Sequence, residues 1–253
     1  MAARAEYVEL HCHSAYSFLD GASLPEELVE RAAEHGYGAL ALTDHDSLAG
    51  ALEFSACARE LGLRAILGAE LTVAGTAGAP TPSCRHLTLL VRDRDGWRNL
   101  CRLLTAAHAH TRDAPQRRPL APRVELRDVL EHANGLLCLS GCASHGVDDE
   151  PTLRRLREAF GAEWLRVELQ RPYARGDRAR NRMRERLAHR LELATVATGN
   201  VHAHSPARAQ LQDALVAIRH GMTLDASEAV RRPNHTHVLA TPAGMVARFA
   251  EHP

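Results

Sequence analysis

The stretch Tyr7-Val8-Glu9-Leu10-His11-Cys12-His13-Ser14 decides how this chain is read. A short apolar run ends in two histidines spaced two apart. Side chains at that spacing point to the same side of a strand. His11 and His13 therefore project together from the end of a first strand, as two imidazoles gripping one metal ion would. Alone, such a pair is more often a pair of surface residues. Its weight comes from repetition: Asp44-His45-Asp46 follows Ala39-Leu40-Ala41-Leu42-Thr43, Glu70 follows Ile66-Leu67-Gly68-Ala69, and His202 follows Thr195-Val196-Ala197-Thr198. Histidines and carboxylates thus recur where strands should end.

Apolar runs alternate with helical patterns along the chain. Strands are predicted over 7–12, 39–43, 64–73, 86–91, 136–140, 164–169 and 195–199. Helices are expected from Leu24, with Ser23 as N-cap and Pro25 in the first turn, and over 47–61, 94–108, 124–132, 151–160, 177–193, 206–220 and 243–250. The Gly/Ala/Pro/Thr stretch 74–83 and the Pro/Arg-rich stretch 110–123 read as loops. Alternation with short connections implies an α/β fold on a parallel sheet. Polar residues at the carboxyl ends of many strands favour a barrel over an open sheet, whose ligands gather at one switch point. No G-x-G-x-x-G follows the first strand. The expectation is an irregular TIM-like (β/α)7 barrel.

Composition narrows the chemistry. The 253 residues have 45% hydrophobic and 25% charged content, ordinary for a globular protein. A formal net charge of +0 argues against a dedicated nucleic-acid-binding module. All 31 basic residues are Arg, which excludes lysine Schiff-base chemistry in this chain. The 6 cysteines form no C-x-x-C pair and mostly sit in or beside apolar runs, as reduced thiols do. No apolar signal core or membrane span is visible, so a cytoplasmic location with no membrane partner is expected.

Taken jointly, H-C-H-S-A-Y-S (11–17), T-D-H-D (43–46), G-A-E (68–70), His86 and G-N-V-H (199–202) resemble the polymerase and histidinol phosphatase (PHP) family in order and spacing over essentially the whole chain. Finer features, E-L-H-C-H-S-A-Y-S-F-L-D-G-A-S and N-V-H-A-H-S-P-A-R-A-Q-L-Q-D-A-L-V-A-I-R-H-G, resemble the N-terminal domain of bacterial C-family DNA polymerases of the error-prone branch. The resemblance implies a barrel domain over 1–240, with 241–253 leading toward a polymerase body beyond Pro253. It implies two or three divalent metals held by His11, His13, Asp20, His45, Glu70, His86, Cys142, Asn200 and His202. In family terms His11, His13, Glu70 and position 200 hold one metal; Glu70 bridges to a second, with His86 and Cys142; Asp20, His45 and His202 hold the third. Imidazole, carboxylate and one thiolate suit zinc first, with manganese or iron as alternatives. The implied chemistry is hydrolysis of a phosphate ester, or 3′–5′ exonuclease-like removal of nucleotides, with Glu70, His45 and His202 as catalytic residues. The implied partners are a phosphate-containing substrate, DNA reached through the full-length polymerase, and the rest of that chain. This piece carries no polymerase palm or fingers.

One position departs from the pattern. Active family members usually carry a carboxylate where this chain has Asn200, whose amide oxygen can still face a metal but brings no charge. Two further readings follow: a free-standing phosphatase acting on a small phosphate ester or nucleotide, and a non-catalytic scaffold that metals stabilise. Individual residues have plainer roles too. Asp20 before Gly21 suits a turn, Cys142 a buried thiol, Asp44 or Asp46 an imidazole partner and Asp46 a helix cap. Glu70 has little structural excuse in an apolar strand. His145, His204 and His220 read as surface or supporting residues. His35, His108, His110, His132, His189, His235, His237 and His252 read as solvated, and the Arg-rich run 171–190 as a solvated or docking face.

Overall fold

Strand β1 (Ala39–Leu42) is buried along its whole length and begins a six-stranded sheet. In this computed structural model, which describes residues 7–75, 84–112 and 120–252, the sheet continues in chain order. It runs through β2 (Arg64–Val73), β3 (Arg85–Val91), β4 (Leu136–Leu139), β5 (Leu165–Gln170) and β6 (Ala194–Thr198). Four-residue strands without a polar position, such as Ala-Leu-Ala-Leu, suit a sheet covered on both faces.

The sheet is mixed, which corrects the expectation of a wholly parallel one. Pairs β1–β2, β4–β5 and β5–β6 are parallel. Strand β3 runs against both its neighbours, pairing Glu70 with Thr88 on one side and Leu89 with Cys138 on the other. The short, glycine- and proline-rich connection from β2 to β3 explains the reversal. A return in the parallel sense needs a crossover of about a dozen residues or more, usually helical, whereas an antiparallel return needs only a turn.

The predicted first strand does not form a regular strand, yet it touches both edges of the sheet. On one side Ala41 N donates to Glu9 O at 2.9 Å and Thr43 N to Cys12 O at 2.8 Å. On the other, Val201 N donates to His11 O at 2.9 Å and His13 N to Val201 O at 2.8 Å. Residues 9–13 therefore lie between β1 and the chain just past β6, and the sheet is curled.

Helices cover the outside. Leu28, Val29, Phe54 and Ala58 of α1 (Pro25–Glu34) and α2 (Ala51–Glu60) pack on Leu40 and Leu42. Leu100 and Leu103 of α3 (Arg94–His108), Val129 of α4 (Leu126–Glu131) and Leu153 and Leu156 of α5 (Glu150–Phe160) form a larger core with Leu71, Leu87, Leu89 and Val167. Truncating such a fully buried leucine to alanine costs about 2–5 kcal/mol. The N-cap of α1 is Leu24, whose N–H donates to Glu27 at 2.9 Å. Ser23, expected there, is instead engaged with His204, whose backbone N–H donates to its Oγ at 2.8 Å.

Helix α6 (Asp177–Arg190) is Arg-rich but only partly solvated. Arg178 is exposed, while Arg184 is buried and donates to Glu168 O and Cys142 O, each at 3.1 Å. One guanidinium thereby fixes two backbone carbonyls beside the site. Helix α7 (Ala209–His220) and a 3-10 turn at Asp225–Val230 wall the mouth of the sheet. Helix α8 (Pro242–Arg248) places Met245 against Leu169, joined by Phe249 just past its end. Among the described residues no helix is long and apolar enough to cross a membrane.

Candidate metal centre

The nine predicted ligands come from strands β2 and β3 and from the loops beside strand ends; seven of them line one pocket, with His11 and His13 against Glu70. Glu70 is central. Its Oε1 lies 3.5 Å from His11 Nε2 and 3.3 Å from His86 Nδ1. Its Oε2 lies 3.0 Å from His45 Nδ1 and 3.6 Å from His13 Nε2. Cys142 Sγ is 3.6 Å from His86 Nδ1. On the other side, Asp20 Oδ2 lies 3.5 Å from both His45 Nε2 and His202 Nε2. His45 thus reaches both carboxylates.

The proton positions on the buried imidazoles follow from their partners. Glu168, an acceptor, sits 2.7 Å from His11 Nδ1, so that nitrogen carries the hydrogen. His202 Nδ1 donates to the carbonyl of Asn200 at 2.8 Å. Ser17 Oγ gives its proton to Asp44 at 2.7 Å and accepts from His13 Nδ1 at 3.2 Å. Each of these three buried rings is therefore tied at Nδ1 and turns its Nε2 inward. Fixing a ligand imidazole through its outer N–H is how proteins orient metal sites. His11 Nε2 and His13 Nε2 face each other at 3.0 Å. Two lone pairs in that position repel unless a proton or a metal ion lies between them.

Buried atoms without hydrogen-bond partners point the same way. They include Glu70 Oε1, Asn200 Oδ1 and His202 Nε2. A buried polar atom left unpaired costs about 1–3 kcal/mol, and here three belong to predicted ligands. The donor set fits divalent cations. Compatible clusters are His11–His13–Glu70, His45–Glu70–His86, His13–His45–His202 and His86–Cys142–His145, the ligand atoms of each lying within 4.8 Å of one another.

Burial alone would lower His11, but the Glu168 and Glu70 carboxylates outweigh it and hold it well above the usual imidazole value, so a metal ion entering there displaces a proton. Burial alone would raise the Glu70 carboxyl, but the His45, His11 and His86 imidazoles outweigh it and hold it well below the usual range. Asp20 is likewise held low, with His202, His45 and Arg232 overcoming its burial. Burial and the neighbouring His202 and His45 push His13 well down, keeping its ring neutral. Burial and then Arg232 lower His202 to about 4. The Cys142 thiol is pushed up to about 12 by burial and by Glu70, so its thiolate forms only against a cation.

Several supporting residues differ from expectation. Asp44 does not bond His45; it accepts from Ser14 N, Ser14 Oγ and Ser17 Oγ, shapes the 14–17 turn and supports His13 only through Ser17. Asp46 caps no helix; it accepts from Thr72 N at 2.8 Å and Thr72 Oγ1 at 2.7 Å and staples its loop to β2. His237 and His252 are not solvated: His237 donates to Asn200 O at 3.0 Å, and His252 lies 2.6 Å from Glu185. His108 Nε2 donates to Asp46 O at 2.8 Å. His145, read as peripheral, stands with His86 and Cys142. Glu168, Arg219 and Arg232 were not singled out in the sequence. Glu168 carries the signal that marked Glu70, an acidic residue inside an apolar strand.

The sequence matches the PHP domain family over residues 9–172, more than half of its length. The chain belongs to the PHP family. This PHP domain is 40% identical over 251 residues to an error-prone DNA polymerase of Anaeromyxobacter sp. (strain K), aligning 98% of the chain with 21% of that protein. It is 40% identical over 260 residues to an error-prone DNA polymerase of Mycolicibacterium paratuberculosis, aligning 98% of the chain with 23% of the relative. The domain thus spans about a fifth of the length of the curated relatives it matches. Its fold is similar to a structure described as a metal-dependent phosphoesterase from Bifidobacterium adolescentis. That likeness has a TM-score of 0.56 at 18% identity and covers 79% of this chain and 88% of the other.

Proposed function

We propose that this PHP domain is the metal-dependent phosphoesterase module of an error-prone DNA polymerase, acting on phosphate esters or on a nucleic-acid end. The observation that carries the reading is the set of buried imidazoles tied at Nδ1, with Nε2 turned toward Glu70 and Asp20. His11, His13, Glu70 and Asn200 would hold one ion, Glu70, His86 and Cys142 a second, and Asp20, His45 and His202 a third. Zinc suits this mixture best, with manganese or iron as alternatives. Bound divalent ions supply Lewis acidity toward a phosphoryl oxygen and lower the pKa of water.

The chain's own residues do the rest. Glu168, Ser17 and the Asn200 carbonyl hold the rings at fixed rotation. Glu70 joins the two halves of the pocket, while His45 and His202 face the side on which a phosphoryl group would sit. Residues 9–13, bonded to both sheet edges, act as the seventh strand of an irregular (β/α)7 barrel. The barrel domain takes in 1–240, and 241–253 leads toward the polymerase remainder, through which DNA is reached.

Hydrolysis of bis(p-nitrophenyl) phosphate with Mn²⁺ or Zn²⁺ tests this reading. Metal-dependent turnover lost in Glu70→Ala is expected; a metal-replete protein with no turnover overturns it. Asn200 favours one second reading, a metal-stabilised scaffold without catalysis, because its neutral amide leaves the first ion short of charge.

A further inference from the structure

The pocket has two unlike walls. One is the cluster of imidazoles and carboxylates; the other is cationic, with Arg180, Arg219, Arg231 and Arg232 lining a cavity of about 480 Å³. Two of these guanidiniums turn toward the cluster. Arg232 Nη1 donates to Asp20 Oδ1 at 2.8 Å, and Arg219 Nη1 lies 3.5 Å from Asp20 Oδ2. Both come from outside the sheet, Arg219 from the end of α7 and Arg232 from just after the 3-10 turn. Asp20 Oδ2 is also the oxygen that faces His45 and His202. One buried carboxylate is therefore shared between two imidazoles and two arginines.

A carboxylate oxygen that takes up a divalent ion has less negative charge to offer a guanidinium. Arginine presents a planar fork of donors suited to a phosphoryl group. Arg231 is held by the Asp213 carboxylate at 2.7 Å and Arg180 by the Asp177 carboxylate at 2.7 Å, neither acid lining the cavity. Arg219 and Arg232 are the two tied only to the ligand cluster among the partners described. We infer that Arg219 and Arg232 are the phosphoryl-binding residues of this pocket, restrained on Asp20 until a cation occupies that carboxylate and frees their donors for the substrate.

This inference rests on the metal-binding part of the proposed function but not on turnover. It makes two binding predictions of opposite sign. Arg232 competes with a cation for Asp20, so Arg232→Ala should bind the ion at Asp20, His45 and His202 more tightly. The same change removes a phosphoryl donor, so inorganic phosphate should bind more weakly, by about tenfold or more for one lost charge-assisted contact. Linkage adds that phosphate and cation strengthen each other in the unaltered chain.

The experiment is equilibrium dialysis of Mn²⁺ and calorimetric titration of inorganic phosphate, on the 253-residue chain and on Arg232→Ala, Arg232→Lys and Arg219→Ala. Tighter Mn²⁺ with weaker phosphate in Arg232→Ala, partly restored in Arg232→Lys, is the expected result, with weaker phosphate again in Arg219→Ala. Displacement of phosphate by a mononucleotide or by a single-stranded oligodeoxynucleotide then distinguishes a small ester from a strand end. The inference is overturned if the Mn²⁺-loaded chain binds no phosphate or if Arg232→Ala alters neither affinity. It also fails if both affinities fall together without rescue by Lys, the signature of a structural role. Opposite shifts in a chain that hydrolyses nothing would sustain this inference while removing the phosphoesterase reading.

Discussion

Glu168 Oε1 lies 2.7 Å from His11 Nδ1, and both side chains are completely shielded from solvent. Glu168 also accepts from Gln170 Nε2 at 2.6 Å and from Thr198 Oγ1. The carboxylate is therefore fixed before it fixes the imidazole, and the direction of the His11 Nε2 lone pair is set two residues deep. Replacing Glu168 by Gln removes the charge and leaves only a neutral amide oxygen to accept from the imidazole. Metal affinity should fall about 10–100-fold, the usual effect of losing such a support. Titration of Zn²⁺ against a competing chelator reads this directly, and an unchanged affinity would deny Glu168 its role.

Asn200 has a left-handed backbone (φ 49°), a buried Oδ1 without a partner and an Nδ2 that reaches Gln170 Oε1 at 3.4 Å. Its carbonyl is occupied by His202 and His237. The buried, unpartnered Oδ1 is free to face an ion but brings no charge. Asn200→Asp should raise both metal occupancy and hydrolysis, measured by elemental analysis and by phosphodiester turnover. A variant that gains neither would show that charge at this position limits nothing.

The Cys142 thiol, pushed up to about 12, must lose its proton to ligate. Metal uptake near neutral pH should then release one proton from this residue in addition to those from protonated imidazoles. Uptake should weaken as the pH falls. In Cys142→Ala, proton release in weakly buffered solution should drop by about one per chain, and the pH slope of affinity should flatten. Equal release in both proteins would place Cys142 outside the coordination set.

Glu9 supplies a separate pH test. Burial raises its carboxyl from an ordinary 4.5 to about 7, against the pull of hydrogen bonds from Tyr7, His11 N and Gly199 N. The folded chain therefore holds this proton more tightly than the unfolded one. Its favourable contribution is complete below about pH 4.5 and is lost as the pH rises through 7, a change of about 3 kcal/mol. Glu9→Gln cannot titrate. Urea unfolding from pH 4.5 to 8 should show wild-type stability falling relative to Glu9→Gln by that order, whereas parallel curves would contradict the assignment.

The sequence made some of this legible and hid the rest for physical reasons. Strand ends were readable because an apolar run stopping at His45 or at Glu70 is a local feature. The direction of β3 was not, since Leu87–Val91 reads the same either way; the glycine- and proline-rich 74–83 stretch, of which 76–83 lie outside the described residues, was the local hint of a return. Glu168 is marked only as an acidic residue between Val167 and Leu169, with no motif around it to assign it a role. Arg232 and His237 were not legible: they follow the last motif and reach the site only through the path of the chain after α7. The fate of Arg184, buried among arginines that face solvent, is likewise decided by packing alone.

We propose that the inward-facing Nε2 atoms, Glu70 and Asp20 form a metal centre. Elemental analysis of the purified chain beside Glu70→Gln tests it most directly. Two or three divalent ions per chain, with at least one lost in the variant, is the predicted result. No metal bound after dialysis against micromolar zinc or manganese would contradict it.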